Sequence, residues 1–102
     1  MNIIRESGGV AVAVDDDDLI ESVQNLSKFA GIFAEATGAS SVASLKKLED
    51  KGILKRGDTV VCLITGSGFK DSYTIEEYVE IPAKELEADL EEVEYFLKQK
   101  LT

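Results

Sequence analysis

The sequence predicts an α/β domain with a thin, mostly parallel sheet, and three observations predict it. Residues 10–14, "VAVAV", form a short run of β-branched and small apolar residues. Residues 59–64, "TVVCLI", form a second run without interruption, the pattern of a strand buried on both faces. Between and after these runs, apolar residues recur at helical spacing. Strands alternating with helices imply a layered α/β arrangement. Two or three strands are few for this class, which is the first sign of an incomplete domain. The expected unit is a single partial α/β domain over 1–102, closed by an amphipathic helix over 82–101.

The elements follow in order. Gly8 and Gly9 let the backbone turn tightly before the first strand. Leu19, Ile20, Val23, Leu26 and Phe29 or Ala30 then mark one face of a helix. Asp15 to Asp18 stand at its start, where one can cap free N–H groups and the others suit the positive end of the dipole. Four consecutive aspartates at a helix start point in different directions, and the calcium-loop spacing is missing, so no metal site is predicted. Gly31 is the expected stop. A second helix follows Gly38, with Val42, Leu45 and Leu48 as its apolar stripe and Gly52 as its end. The small residues Ala39, Ser40, Ser41, Ala43 and Ser44 predict close packing on one face. Gly57-Asp58 signals a turn into the second strand. "EEYVEIP" reads as an edge strand stopped by Pro82. The last helix carries Leu86, Leu90, Val93, Leu97 and Leu101 on one face, expected to dock on the sheet.

Composition excludes several functions. Asp+Glu number 20 against Lys+Arg 11, a net charge of −9. That charge repels nucleic-acid backbones and anionic membranes alike. The chain has no histidine, so the commonest general base and metal ligand are missing. The single cysteine, Cys62, cannot form an internal disulfide and reads as a small buried hydrophobe in a reducing compartment. The N-terminus lacks a signal-peptide pattern, which makes the cytoplasm the expected location.

The chemistry candidates lie in "ITGSGFKD", residues 64–71. The turn after a buried parallel strand is where α/β proteins place ligands. Thr65 and Ser67 offer hydroxyls, and Gly66 and Gly68 allow close backbone approach, as an anion nest would require. The stretch is neither a Walker loop nor a dinucleotide fingerprint. Lys70 raises the separate option of an imine with a carbonyl cofactor, since "SGFKD" is similar to the "SFKD" around the cofactor lysine of several lyases.

Three stretches, in order, resemble the C-terminal part of threonine synthase, a pyridoxal-phosphate-dependent lyase of amino-acid biosynthesis in the tryptophan-synthase β-like, fold-type II group. They are "SGGVAVAVDDDDLIESVQNLSKFAGIFAEATGAS", "LKKLEDKGILKRGDTVVCLITGSGFKD" and "YVEIPAKELE". The family's "GIFAEPAGA" is matched by Gly31-Ile32-Phe33-Ala34-Glu35 and Gly38-Ala39, and its "TGHGLKD" by Thr65, Gly66, Gly68, Lys70 and Asp71. Ser67 replaces the family histidine, and Ala36 the proline. The resemblance covers roughly residues 6–72. It implies a partial three-layer α/β/α unit, part of the large domain of such an enzyme. It implies that Thr65 contacts the pyridine nitrogen of pyridoxal phosphate, with Gly66 and Gly68 beside the ring and Glu35 and Gly38 on the substrate side. It places Lys70 outside the imine chemistry. The family's imine lysine, phosphate-binding loop and small substrate domain have no match here. The chain is therefore expected to carry no catalytic residue and not to bind the cofactor alone. The complete family enzyme would convert O-phosphohomoserine and water to threonine and phosphate.

Two further readings stand beside this one. The chain could be an interaction module that self-associates or complements another chain, or an anion-binding α/β domain using 65–68. A homodimer, or association with another chain, is expected because strands of this kind need neighbours.

Overall fold

The backbone turns sharply where the sequence puts glycine, and those turns organise the molecule. The computed structural model describes residues 2–78 and 85–100. A short helix α1 (Asn2–Glu6) precedes an extended segment over 9–15. Helix α2 (Asp16–Asn25) runs into a π-helical turn, Leu26–Ala30, which ends at Gly31 with φ 67°. The left-handed φ is one that glycine adopts without strain. A 3₁₀ turn, Thr37–Ala39, leads into α3 (Ser40–Asp50). Gly52, at φ 68°, ends α3, and the Ile53 N–H donates back to the Leu48 carbonyl at 3.0 Å. A second extended segment, 59–65, is followed by a 3₁₀ turn, Gly68–Lys70, then α4 (Ser72–Tyr78) and α5 (Leu90–Lys100).

The core is small. Ile20, Val23, Ala34, Ala39 and Ile75 are buried together, with Leu26, Phe33, Ala36 and Ile64 packed around them. Val23, 1% exposed, is the largest fully buried side chain. The predicted stripe of α2 therefore holds at Ile20 and Val23, but Phe29 is 75% exposed. The π turn is the reason: its wider winding rotates the helix end away from the face that Val23 presents. On α3 the buried residue is Ala43, while Val42, Leu45 and Leu48 are half-buried. Close packing of α2 on α3 at small residues is thus realised.

The four aspartates act differently from expectation. Asp15 occupies the N-cap position with extended backbone but makes no side-chain cap bond. Its carboxylate instead meets the Lys47 Nζ at 2.9 Å, and Asp18 meets the same group at 3.4 Å. The run ties the start of α2 to α3. The hydrogen bond to Asp15 is the main cause that raises the Lys47 pKa above the ordinary lysine range.

The parallel sheet is not formed among the described residues. The single β contact is an isolated antiparallel bridge between Ala34 and Ser67. Segments 10–14 and 59–64 carry no regular secondary structure, and neither has a ladder partner among the described residues. Along the second, Cys62 and Ile64 are half-buried whereas Val61 is 83% and Leu63 73% exposed. One face is covered and the other is open, so the two-sided burial read from "TVVCLI" is half met, and Cys62 is not fully buried. The Leu63 carbonyl takes a hydrogen bond from the Ser41 hydroxyl at 2.9 Å. A small side chain on α3 thus serves one backbone group that a sheet neighbour could have taken.

Two further expectations change. Residues 76–78 of the expected edge strand are helical, and 79–82 lie outside the described residues. Helix α4 wins because the Asp71 carboxylate accepts from the Thr74 hydroxyl at 2.8 Å at its start, and helical winding turns Ile75 into the core. The last helix begins at Leu90, where Asp89 receives the Glu91 N–H at 3.3 Å, rather than at Pro82, which lies outside the described residues with Leu101. No residue of α5 is buried, and Leu90 is 71% exposed, so its leucine face is not docked on a sheet. The radius of gyration, 18.3 Å, exceeds the ~13 Å of a compact chain of this length. The principal extents of 61 × 28 × 19 Å describe an elongated molecule.

Candidate functional site

The region with the most closely fitted chain joins residues 33–38 to residues 65–68. After Gly31 the backbone runs extended and returns alongside the second segment. The Glu35 N–H donates to the Gly66 carbonyl, and the Gly68 N–H donates to the Phe33 carbonyl, each at 3.0 Å. Ala34, fully buried, lies opposite Ser67. These bonds connect residues about thirty positions apart and fix the loop against the core.

The glycines show how tight the fit is. A Cβ on Gly38 would stand 2.8 Å from the Gly66 nitrogen. A Cβ on Gly66 would run into the Glu35 side chain. A Cβ on Gly68 would meet the Phe33 ring at 2.6 Å. None of the three has room for a side chain without a shift of its neighbour. The Phe33 ring also packs edge-on against Phe69, with centroids 5.0 Å apart and planes at 86°. The Ser67 hydroxyl accepts the Phe69 N–H at 3.4 Å, and the Thr37 hydroxyl donates to Glu35 Oε1 at 3.0 Å.

Four of the predicted site residues, Glu35, Gly38, Gly66 and Gly68, therefore meet in one place. Thr65 stands at the rim as an exposed residue at the end of the extended segment. The space in front of Gly66 and Gly68 is taken by Glu35 and Phe33. Thr65 and Ser67 are the exposed residues of the loop, and the Ser67 hydroxyl is turned toward the Phe69 N–H. An anion nest over 65–68 needs free successive N–H groups, and the Gly68 N–H is already engaged by Phe33. Lys70 ends the 3₁₀ turn, its N–H on the Ser67 carbonyl at 3.0 Å and its side chain exposed. Among the described residues no group of three or more His, Cys, Asp or Glu is placed to hold a metal, and no helix is long and apolar enough to cross a membrane.

Sequence reasoning missed Phe33 and Thr37. Phe33 stands inside the matched motif without a role of its own, and its part emerges only when Gly68 arrives beneath its ring. Thr37 carried a faint signal, a hydroxyl two residues after a glutamate and next to Gly38.

Comparison with known proteins places this geometry in context. The model of the family described as "Pyridoxal-phosphate dependent enzyme" matches residues 1–66, ending at Gly66. The chain is 39% identical over 99 residues to a threonine synthase of Methanocaldococcus jannaschii, covering 97% of this chain and 24% of that protein. It is 42% identical over 82 residues to a threonine synthase of Methanosarcina acetivorans, covering 80% of this chain and 20% of that protein. With a threonine synthase of Halalkalibacterium halodurans it shares 37% over 76 residues, 74% of this chain and 22% of the relative. The chain thus spans about a quarter or less of the length of these three relatives.

Proposed function

This chain belongs to the pyridoxal-phosphate-dependent enzyme family, and on that premise we propose that it forms one wall of the cofactor site of a threonine-synthase-like enzyme. The activity of the complete enzyme would be the conversion of O-phosphohomoserine and water to threonine and phosphate. Pyridoxal phosphate, when bound, supplies the electron sink for that chemistry. The observation that carries the proposal is the locked loop, in which Glu35 and Gly38 pack on Gly66 while the adjoining Thr65 is exposed. In this reading Thr65 hydrogen-bonds the pyridine nitrogen. A neutral hydroxyl there, unlike a carboxylate, does not favour full protonation of that nitrogen. Glu35 and Gly38 flank the substrate side. No residue of this chain is assigned a catalytic role, because no segment resembles the family's cofactor-binding lysine or its phosphate loop.

The proposal also accounts for the open strands. Segments 10–14 and 59–64 take their places in a mostly parallel sheet when neighbouring strands are supplied, and Val61 and Leu63 are then covered. The complete unit would be a three-layer α/β/α domain in the cytoplasm. A second reading, an interaction module that pairs with itself or with another chain, is favoured by the same exposed apolar residues and by the undocked face of α5.

The test is a segment exchange. Residues 1–102 replace the matching segment of the Methanocaldococcus jannaschii threonine synthase, and phosphate release and visible absorbance of pyridoxal phosphate are recorded. The expected result is retained cofactor absorbance and measurable turnover, with Thr65→Ala lowering turnover and shifting the absorbance. A folded hybrid that binds no cofactor would refute the proposal. For the chain alone with added pyridoxal phosphate, no visible-range band is expected. A borohydride-fixed adduct mapped to Lys70 would overturn the assignment of roles within the loop.

A further inference from the structure

We propose that Phe33 and Glu35 are positioning residues that clamp the 65–68 loop and so fix where the Thr65 hydroxyl stands. The proposal deepens the cofactor-site reading and rests on it for the role of Thr65, but the clamp itself is read from contacts alone.

Four observations converge on it. The Phe33 carbonyl and the Glu35 N–H take both ends of the loop, Gly68 and Gly66, by bonds of 3.0 Å. The Phe33 ring fills the volume that any side chain at 68 would need. The Glu35 side chain fills the volume that any side chain at 66 would need. The Thr37 hydroxyl holds the Glu35 carboxylate at 3.0 Å, which fixes its rotamer over Gly66. Thr65 is joined covalently to Gly66, so a loop held at 66 and 68 limits where its Cα stands, and its branched side chain has few χ1 rotamers to choose from. Preorganisation of this kind lets a polar group meet a ligand atom without an ordering cost at the moment of binding. In this arrangement Glu35 acts by shape and by its backbone N–H. Its negative charge is secondary, so Glu35→Gln should be a mild change and Glu35→Ala a severe one.

The experiment has two arms. On this chain, amide hydrogen exchange at Glu35 and Gly68 is followed by NMR. Gly68→Ala should speed exchange at both amides by about ten-fold, the loss expected when one hydrogen bond is displaced. The double variant Gly68→Ala with Phe33→Leu makes room for the new methyl and should restore slow exchange. Unchanged protection in Gly68→Ala, or no rescue by Phe33→Leu, overturns the clamp. In the pyridoxal-phosphate-loaded holoenzyme carrying this segment, Glu35→Gln should leave the cofactor absorbance maximum unchanged, and Glu35→Ala should move it as Thr65→Ala does. A Glu35→Gln variant that moves the maximum as far as Glu35→Ala does would overturn the shape-based role of Glu35. If the loaded protein shows no dependence on Thr65, the cofactor reading fails while the exchange arm still decides the clamp.

Discussion

Gly38→Ala should destabilise the chain even though alanine usually stabilises a helical turn. Gly38 is buried in the 3₁₀ turn before α3. Its backbone is one that alanine can adopt, so the unfolded-state gain of roughly 0.4–1 kcal/mol applies in full. The new Cβ, however, would lie 2.8 Å from the Gly66 nitrogen, 3.2 Å from Glu35 Cγ and 3.3 Å from the Gly66 oxygen. Two of these neighbours are main-chain atoms, and the chain at Gly66 is held by the Glu35 N–H. Relief requires either overpacking, costing about 1–3 kcal/mol, or loss of that hydrogen bond, about 1 kcal/mol. Set against that gain, overpacking leaves a net loss of about 1.3 kcal/mol at the middle of both ranges. At roughly 4–8 °C per kcal/mol for a domain of this size, Tm should fall by roughly 5–10 °C. Thermal melts by far-UV circular dichroism suit a chain without tryptophan. Gly52 is the control. A Cβ there meets nothing within 4 Å, but φ is +68°, so Gly52→Ala pays for conformation alone and Gly52→Asn should recover part of the loss. A Gly38→Ala chain as stable as the parent, or more so, would show that residues 35–38 and 66 are not in contact.

Two other outcomes can be checked. Lys47→Gln should loosen α2 from α3, and the difference in Tm from the parent should shrink in high salt. Because pairing raises the Lys47 pKa, its contribution is fully present below the usual lysine value and is lost as pH climbs through the raised one. The Tm difference should therefore vanish in strongly alkaline buffer, and a difference independent of pH would contradict the ion pair. The exposed apolar residues of 59–65 predict self-association of the chain by itself. Light scattering should show dimers or larger species that dissociate on Val61→Lys with Leu63→Glu, and a parent that stays monomeric at high concentration would refute this.

What could be read from the sequence follows from how local each signal is. Gly31 and Gly52 end helices because a left-handed φ is a property of one residue, and both are legible without a partner. The type of α5 is legible from its own spacing, whereas its docking depends on a surface elsewhere and is not realised. The error at residues 76–78 has the same origin. Tyr78 and its neighbours carry β propensity, but a short helix started at Asp71 and Thr74 buries Ile75, and packing overrides propensity. Glu35, Gly38, Gly66 and Gly68, which stand in motif positions, lie against one another in space. Phe33 and Thr37 escaped notice because their roles exist only once residues 66–68 have closed on them.

The contrast between the locked loop and the open strands has a single physical cause. Joining 33–38 to 66–68 closes a loop of about thirty residues, and closure entropy grows only slowly with that length. Both partners of each hydrogen bond, and both sides of each glycine contact, lie within the chain. A parallel strand has no such economy. A strand in such a sheet presents donors and acceptors on two edges and side chains on two faces, and among the described residues no second strand lies along either edge. The contacts within residues 33–68 therefore form, while no sheet forms among the described residues. Thr65 sits where the two regimes meet, at the end of an unpaired strand and the start of a clamped loop.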